Sequence, residues 1–385
     1  MSVGSTKYKI LKSLSKNGCE SRVELAKKLK LSKPSITDNV NKLLESGVIL
    51  ESGEGEASKV GGRKPIMLEI NATSKYIVSV DLAFKNPRCA LGNLNHELLH
   101  EEIIEGNNFI TEDERLAAIG QVVQLLLKKG NITIEKLGCI VLSLPGILKE
   151  DDTLKFSSPQ FTKWTSLNIK EYLKREFTIP VIVKNDVNMA LVAEMELGKR
   201  KQYQNIAYIS CGLGIGSGIA LKRKLYEGEH MAAGEIGYTI DMSSLETGAN
   251  IEDTINVEAV LAKIRRDVAD GMDTLLAKKT APISFDDIIE AYQQGDNYVK
   301  QIFYDVGIRL GVAVANMVTL LDLGIVIFGG LYSEFFDDLL KGVNEVLNKV
   351  KIVDTVIETS VFGAQGSIYG AFIIGADYIM SMYSE

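Results

Sequence analysis

The stretch SRVELAKKLKLSKPSITDNVNKLLESG, residues 21–47, decides how the amino-terminal part of the chain folds. Ser21-Arg22-Val23-Glu24 has the spacing of a capping box, in which the serine hydroxyl takes the Glu24 amide and the Glu24 carboxylate reaches back. Val23, Leu25, Ala26 and Leu29 then predict a short helix. Leu31-Ser32 makes a turn, with Ser32 an N-cap and Pro34 tolerated in the first turn of the next helix. That helix runs to about Ser46, burying Ile36, Val40, Leu43 and Leu44, before Gly47 supplies a left-handed stop. Upstream, Tyr8, Ile10, Leu11 and Leu14 form the apolar stripe of a further helix that ends at Asn17-Gly18.

Two short helices, a tight turn and a third helix make a helix-turn-helix. The third helix exposes Lys33, Ser35, Thr37, Asp38, Asn39 and Asn41. Polar side chains near a helix N-terminus suit base edges and phosphates in a major groove. The competing reading is a three-helix bundle with a solvated face. The adjoining segment favours DNA. Val48-Ile49-Leu50 predicts a strand, residues 51–64 a loop, and Ile66–Ile70 a returning strand, which together make a wing. Its tip carries Lys59, Arg63 and Lys64 around Gly61-Gly62, basic groups suited to a narrow minor groove. A flexible basic linker is the alternative there.

Charge follows the same division. Residues 1–65 carry 13 Lys and Arg against 7 Asp and Glu, a net +6, so the remainder holds −13 of a total of −7. A basic end on an acidic body is what a phosphate-binding arm on a soluble domain requires. No run approaches the roughly 18–20 uninterrupted apolar residues of a membrane span, and no apolar signal region opens the chain, which predicts a cytoplasmic protein without membrane partners. The four cysteines, Cys19, Cys89, Cys139 and Cys211, lie far apart and match neither a disulfide framework nor a zinc knuckle. His96 and His100 have i,i+4 spacing, but their leucine-rich surroundings read as strand or turn.

From Lys75 onward strands alternate with helices. Strands are predicted at Tyr76–Val80, around Ala90–Leu94 and Ile103, and at Leu137–Leu142, Val181–Val183, Asn205–Ser210 and Ile325–Phe328. Helices are predicted at Arg115–Lys128, Leu167–Phe177, Asn188–Gly198 and Tyr298–Leu320. The pattern is an α/β body of two lobes. The expected division is 1–71 for the winged helix-turn-helix, 72–185 for one lobe and 186–385 for the other, whose carboxy-terminal helix can pack back on the first.

The order of a basic winged helix, Val80-Asp81, Pro145-Gly146, Asn185-Asp186-Val187-Asn188, Gly212–Gly218, Gly234-Glu235-Ile236-Gly237 and Gly329-Gly330 resembles the ROK family of repressors and sugar kinases over nearly the whole chain. It is most similar to the regulator branch of xylose and N-acetylglucosamine repressors. The resemblance implies an actin/hexokinase-like (ribonuclease H-like) ATPase fold, a sugar cleft between its lobes, and a homodimer or homotetramer. It also implies sugar contacts from Gln160, Asn185, Asp186, Glu235, Tyr238 and Glu252, with Asp186 at the position of the family's catalytic base.

Departures from the family pattern argue against phosphoryl transfer. Where the family has Asp-x-Gly-Gly-Thr, this chain has Asp81-Leu82-Ala83-Phe84-Lys85; where it has Gly-Thr-Gly, this chain has Gly212-Leu213-Gly214. Backbone and hydroxyl donors that cradle nucleotide phosphates are thereby lost. The family's zinc-binding His is replaced by Tyr238, and residues 242–251 hold no cysteine, so neither a metal nor a cofactor is expected. The reading is a sugar-responsive repressor of carbohydrate-utilisation genes, with operator DNA and a sugar effector as partners. A sugar kinase with a DNA-binding appendage is its rival.

Overall fold

The computed structural model describes all residues except 1–4, 56–63, 84–85, 106–110, 150, 152–153, 157–165, 241–245, 247, 351–353 and 385. It divides into two compact units: residues 1–144, 163–184 and 371–385 form the first, and residues 145–162 and 185–370 the second.

The first unit begins with three helices whose ends are written in the sequence. Helix α1 (Thr6–Asn17) is capped by the Ser5 side chain and stopped by Gly18 at a φ of 76°. The strand β1 (Glu20–Ser21) leads into α2 (Arg22–Leu29), where Ser21 and Glu24 close the capping box. Helix α3 (Lys33–Glu45) takes Ser32 as its N-cap and buries Ile36, Val40 and Leu43. These pack with Ile10, Leu11, Leu14, Leu25 and Leu68 into one small core. Val23, expected to join α2's apolar side, is 58% exposed. Its neighbours Leu25 and Ala26 already supply the buried face of an eight-residue helix.

The wing consists of β2 (Ile49–Glu54) and β3 (Ile66–Ile70), with β1 pairing on the far side of β3. Strand β2 continues past the predicted loop start at Glu51, although its last four residues are exposed. Ladder pairing of Gly53 with Met67 and Glu54 with Ile66 carries it, beyond a bulge between Glu51 and Gly53. Local composition read as loop here because a polar edge strand draws its stability from its partner. The tip bearing Lys59 and Arg63 lies outside the described residues.

A five-stranded sheet follows, in the order β10-β7-β4-β5-β6. Strands β4 (Tyr76–Asp81), β5 (Arg88–Asn93) and β6 (Leu98–Ile103) form an antiparallel meander, while β7 (Leu137–Leu144) joins β4 in parallel. Helices α4 (Glu112–Lys129) and α5 (Ile169–Phe177) belong to this unit, and β10 (Val181–Asn185) closes the sheet. His96 occupies the tight β5–β6 turn at a φ of 64°, and burial, with the Lys12 charge second, holds its imidazole down to about 4.

The second unit opens with the hairpin of β8 (Ile147–Leu148) and β9 (Leu154–Phe156). Helix α6 (Asp186–Glu196) then precedes a second five-stranded sheet, made of β11 (Ile206–Cys211), β12 (Ile215–Leu221), β13 (Lys224–Leu225), β14 (Ile325–Gly329) and β15 (Val356–Thr359). Its core is completed by α7 (Ile251–Ile255), α8 (Val257–Ala269), α9 (Phe285–Gln293), α10 (Asn297–Leu321) and α11 (Phe336–Val350). By length and composition α10 is apolar enough to cross a membrane, yet half of its most apolar window is buried and it lines this core.

Helix α12 (Gly366–Met382) begins in the second unit and ends in the first. Within the second unit its Gly370 meets α6 so closely that a Cβ would stand 2.0 Å from the Met189 carbonyl oxygen. Within the first unit Gly375 faces Ile77 and Cys139 of the sheet, and Asp377 accepts a hydrogen bond from the Tyr8 hydroxyl and an ion pair from Lys12, both at 2.7 Å. The Asp377 hydrogen bond adds to burial in raising the Tyr8 phenol above its ordinary value. Gly370→Ala should therefore destabilise the protein by about 1–3 kcal/mol through overpacking against backbone, read as a lower urea midpoint at unchanged slope.

Candidate functional site

Glu235 is presented by a turn that only glycines can make. Gly234 has a φ of 94°, and a Cβ there would stand 2.0 Å from the Ser217 carbonyl oxygen of β12. At Gly237 a Cβ would come within 2.3 Å of the Ile215 carbonyl oxygen. The Ser217 amide and hydroxyl both donate to the Gly234 carbonyl, at 2.8 and 2.7 Å. Ile236 is buried between the two glycines, so the turn lies pinned to β12 with Glu235 on its other side.

Glu252 reaches the same strand from α7, where Asn250 and Asp253 close a capping box. Its Oε2 accepts the Ile215 amide at 2.7 Å. Burial pushes the Glu235 carboxyl up to about 7, helped by the charge of Glu252. Burial also raises Glu252; the Ile215 amide pulls it back, and Asp253 adds to the rise. Tyr238, one residue past the second glycine, has its phenol pushed up to about 12 by burial and then by Glu252, Glu235 and Asp253. The Glu252 charge thus acts on both Glu235 and Tyr238, which places the three side chains near one another.

Asn185 and Asp186 sit at the start of α6. Asn185 is the N-cap: its Oδ1 accepts the Asn188 amide at 2.9 Å, and its Nδ2 donates to the Gly146 carbonyl at 3.0 Å. One amide hydrogen and one lone pair remain on its side chain for another partner. Asp186 is the first residue of the helix, where the partial positive charge of the N-terminus favours a carboxylate. Gly146 leads into the β8–β9 hairpin, whose last residue, Phe156, meets Tyr238 edge to face with ring centroids 5.5 Å apart. This hairpin links the Asn185 end of the site to the Tyr238 end, a connection the sequence did not signal. Gln160 lies outside the described residues.

The two loops that depart from the family pattern make backbone and packing contacts. Asp81 is fully buried and its Oδ1 accepts the Ala83 amide at 2.9 Å; Phe84 and Lys85 lie outside the described residues. Leu213 packs, partly buried, against the apolar core. Gly330 has a φ of 78°, and a Cβ there would stand 2.5 Å from the Cys211 carbonyl oxygen, which gives that glycine a structural role. Zinc does not fit either: Tyr238 replaces an imidazole, residues 242–251 contain no cysteine, and Cys211 is buried in the sheet.

On the DNA-reading side, Lys33, Thr37 and Asn41 are exposed along α3, while Ser35 and Asn39 are half-buried. The Asn39 amide donates to the Ser35 carbonyl at 2.8 Å, and Asn41 accepts from Arg22 at 3.5 Å. Lys64, at the base of the wing, pairs with Glu54 at 3.8 Å.

A winged helix-turn-helix followed by two α/β units with a carboxylate-rich turn defines a DNA-binding module joined to a sugar-kinase-like body. The family model matches agree: a winged helix-turn-helix DNA-binding model covers residues 5–49 and the ROK family model covers residues 77–377. The chain belongs to the ROK family. It is 26% identical over 352 residues to the xylose repressor of Caldicellulosiruptor bescii, covering 89% of this chain and 87% of that protein. A crystal structure of a ROK family transcriptional regulator, a homologue of the Escherichia coli MLC protein, superposes with a TM-score of 0.80 at 22% identity over 98% of both chains. A ROK family glucokinase from Streptomyces griseus, solved with glucose and AMPPNP, matches 78% of this chain and 98% of its own at 19% identity and a TM-score of 0.64.

The raised carboxyl has a consequence for stability. Folded Glu235 keeps its proton to higher pH than the unfolded chain, so its contribution is full below about 4.5 and is lost as pH rises through about 7. Glu235→Gln should flatten the fall in melting temperature between pH 5 and 8, measured by calorimetry against the parent protein.

Proposed function

We propose that this protein is a sugar-responsive transcriptional repressor of carbohydrate-utilisation genes. In this reading the winged helix binds operator DNA through Lys33, Ser35, Thr37, Asn39, Asn41, Lys59, Arg63 and Lys64. A sugar effector, xylose among the candidates, binds the second unit through Asn185, Asp186, Glu235, Tyr238 and Glu252, with Gln160 as a further contact. The observation that carries the reading is the pairing on one chain of a winged helix-turn-helix with a body of the ROK family whose loops depart from the family pattern at Ala83 and Leu213. The C. bescii relative, a xylose repressor with matching coverage, supports it.

The proposal includes a homodimer or homotetramer in the cytoplasm, acting on a palindromic operator. Sugar alters DNA affinity only if it prefers one conformation, and a coupling of about 1–3 kcal/mol suffices. Helix α12 offers a route, because its first turn rests on α6 and its later turns hold α1 through Asp377. Phosphoryl transfer has no part in this reading, and Asp186 is retained as a sugar contact.

Fluorescence anisotropy with DNA from upstream of sugar-utilisation genes tests the proposal. Binding should weaken steeply with salt, and Lys33→Ala should reduce the slope of log affinity against log salt by about one. Absence of salt-dependent binding sinks the repressor reading. A coupled ATP-consumption assay over hexoses and pentoses should show no sugar-dependent turnover; ordinary kinase rates would reverse the ranking. Asp377→Ala should retain operator binding but shrink the sugar-induced change in affinity, which is expected to be about 5–150-fold in the parent.

A further inference from the structure

We infer that Tyr238 and Phe156 form an aromatic wall of the sugar site in the second unit, and that with Glu235 and Glu252 they select an uncharged pyranose over a phosphorylated or acidic sugar. The inference rests on the sugar-binding reading above and narrows it to a ligand class. Two large aromatic side chains are left substantially exposed, Tyr238 at 40% and Phe156 at 44%, on elements from distant parts of the chain. Their rings meet edge to face at an interplanar angle of 81°, so each keeps at least one face free of the other. A pyranose ring carries a patch of C–H groups on one face that packs against an aromatic face, while its hydroxyls turn outward.

The polar neighbours fit those hydroxyls. Tyr238 lies within the electrostatic reach of both Glu235 and Glu252. The hairpin carrying Phe156 is anchored at its other end by the Asn185 amide on the Gly146 carbonyl, beside Asp186. Carboxyl and amide groups accept and donate to neutral hydroxyls. A phosphate or uronate introduced beside Tyr238 would face Glu252, Glu235 and Asp253, and like charges brought together in a partly buried site are strongly disfavoured. Aromatic stacking also explains how the site can do without an imidazole at position 238: the phenol supplies a ring face together with a hydroxyl.

The experiment is isothermal titration of the full-length protein with D-xylose, D-glucose, glucose 6-phosphate and glucuronate. The parent should bind at least one neutral sugar and neither charged one. Phe156→Leu keeps apolar volume but removes the ring, and Tyr238→Ala removes the other wall; each should weaken the neutral sugar about tenfold. Tyr238→Phe should retain most of the affinity, since the ring remains, and a melting curve of each unliganded variant checks that it folds. Tighter binding of glucose 6-phosphate or glucuronate than of the neutral sugars overturns the inference. Undiminished affinity in folded Phe156→Leu and Tyr238→Ala overturns the wall while leaving the sugar reading intact. No binding of any sugar removes both.

Discussion

The carboxylate site depends on the contact of a four-residue turn with one strand. Gly234 and Gly237 lie against the Ser217 and Ile215 carbonyls of β12 at distances that no side chain tolerates. The Ser217 amide and hydroxyl, both directed at the Gly234 carbonyl, lock the turn in place. Glu235 and Tyr238 follow from that contact, because the turn sets where they emerge. Glu252 grips the same strand through the Ile215 amide, so the strand is the common ruler for all three groups.

Bringing these groups together has an electrostatic cost, visible in carboxyls held above their ordinary range by burial first, then by the charge of Glu252 at Glu235 and of Asp253 at Glu252. Such costs persist where a ligand or function compensates them. Leu213 packs, partly buried, against the core, and Gly330 fits closely against Cys211.

Helix α12 contributes residues to both units. Its early glycine rests on the backbone of α6, the helix that starts at Asn185, and its later Asp377 holds Tyr8 and Lys12 of the DNA-reading module. The Asp377 pair is partly exposed and contributes little to stability by itself.

Much of the fold was legible because it is local. The capping boxes at Ser21, the N-cap at Ser32, the stop at Gly18 and the alternation of strands and helices depend on residues within a turn or two of each other. The motif glycines around Glu235 also pointed to the site, although not to the reason for them. Tertiary structure decided what spacing cannot encode. It exposed Val23, extended β2 through pairing with β3, tied the Asn185 amide to the Gly146 carbonyl, and set Phe156 against Tyr238. It also joined Asp377 to a helix 369 residues away. Short-range hydrogen bonding and periodicity are carried by sequence neighbours, whereas these contacts exist only after distant segments have been packed together, and so they belong to the folded chain alone.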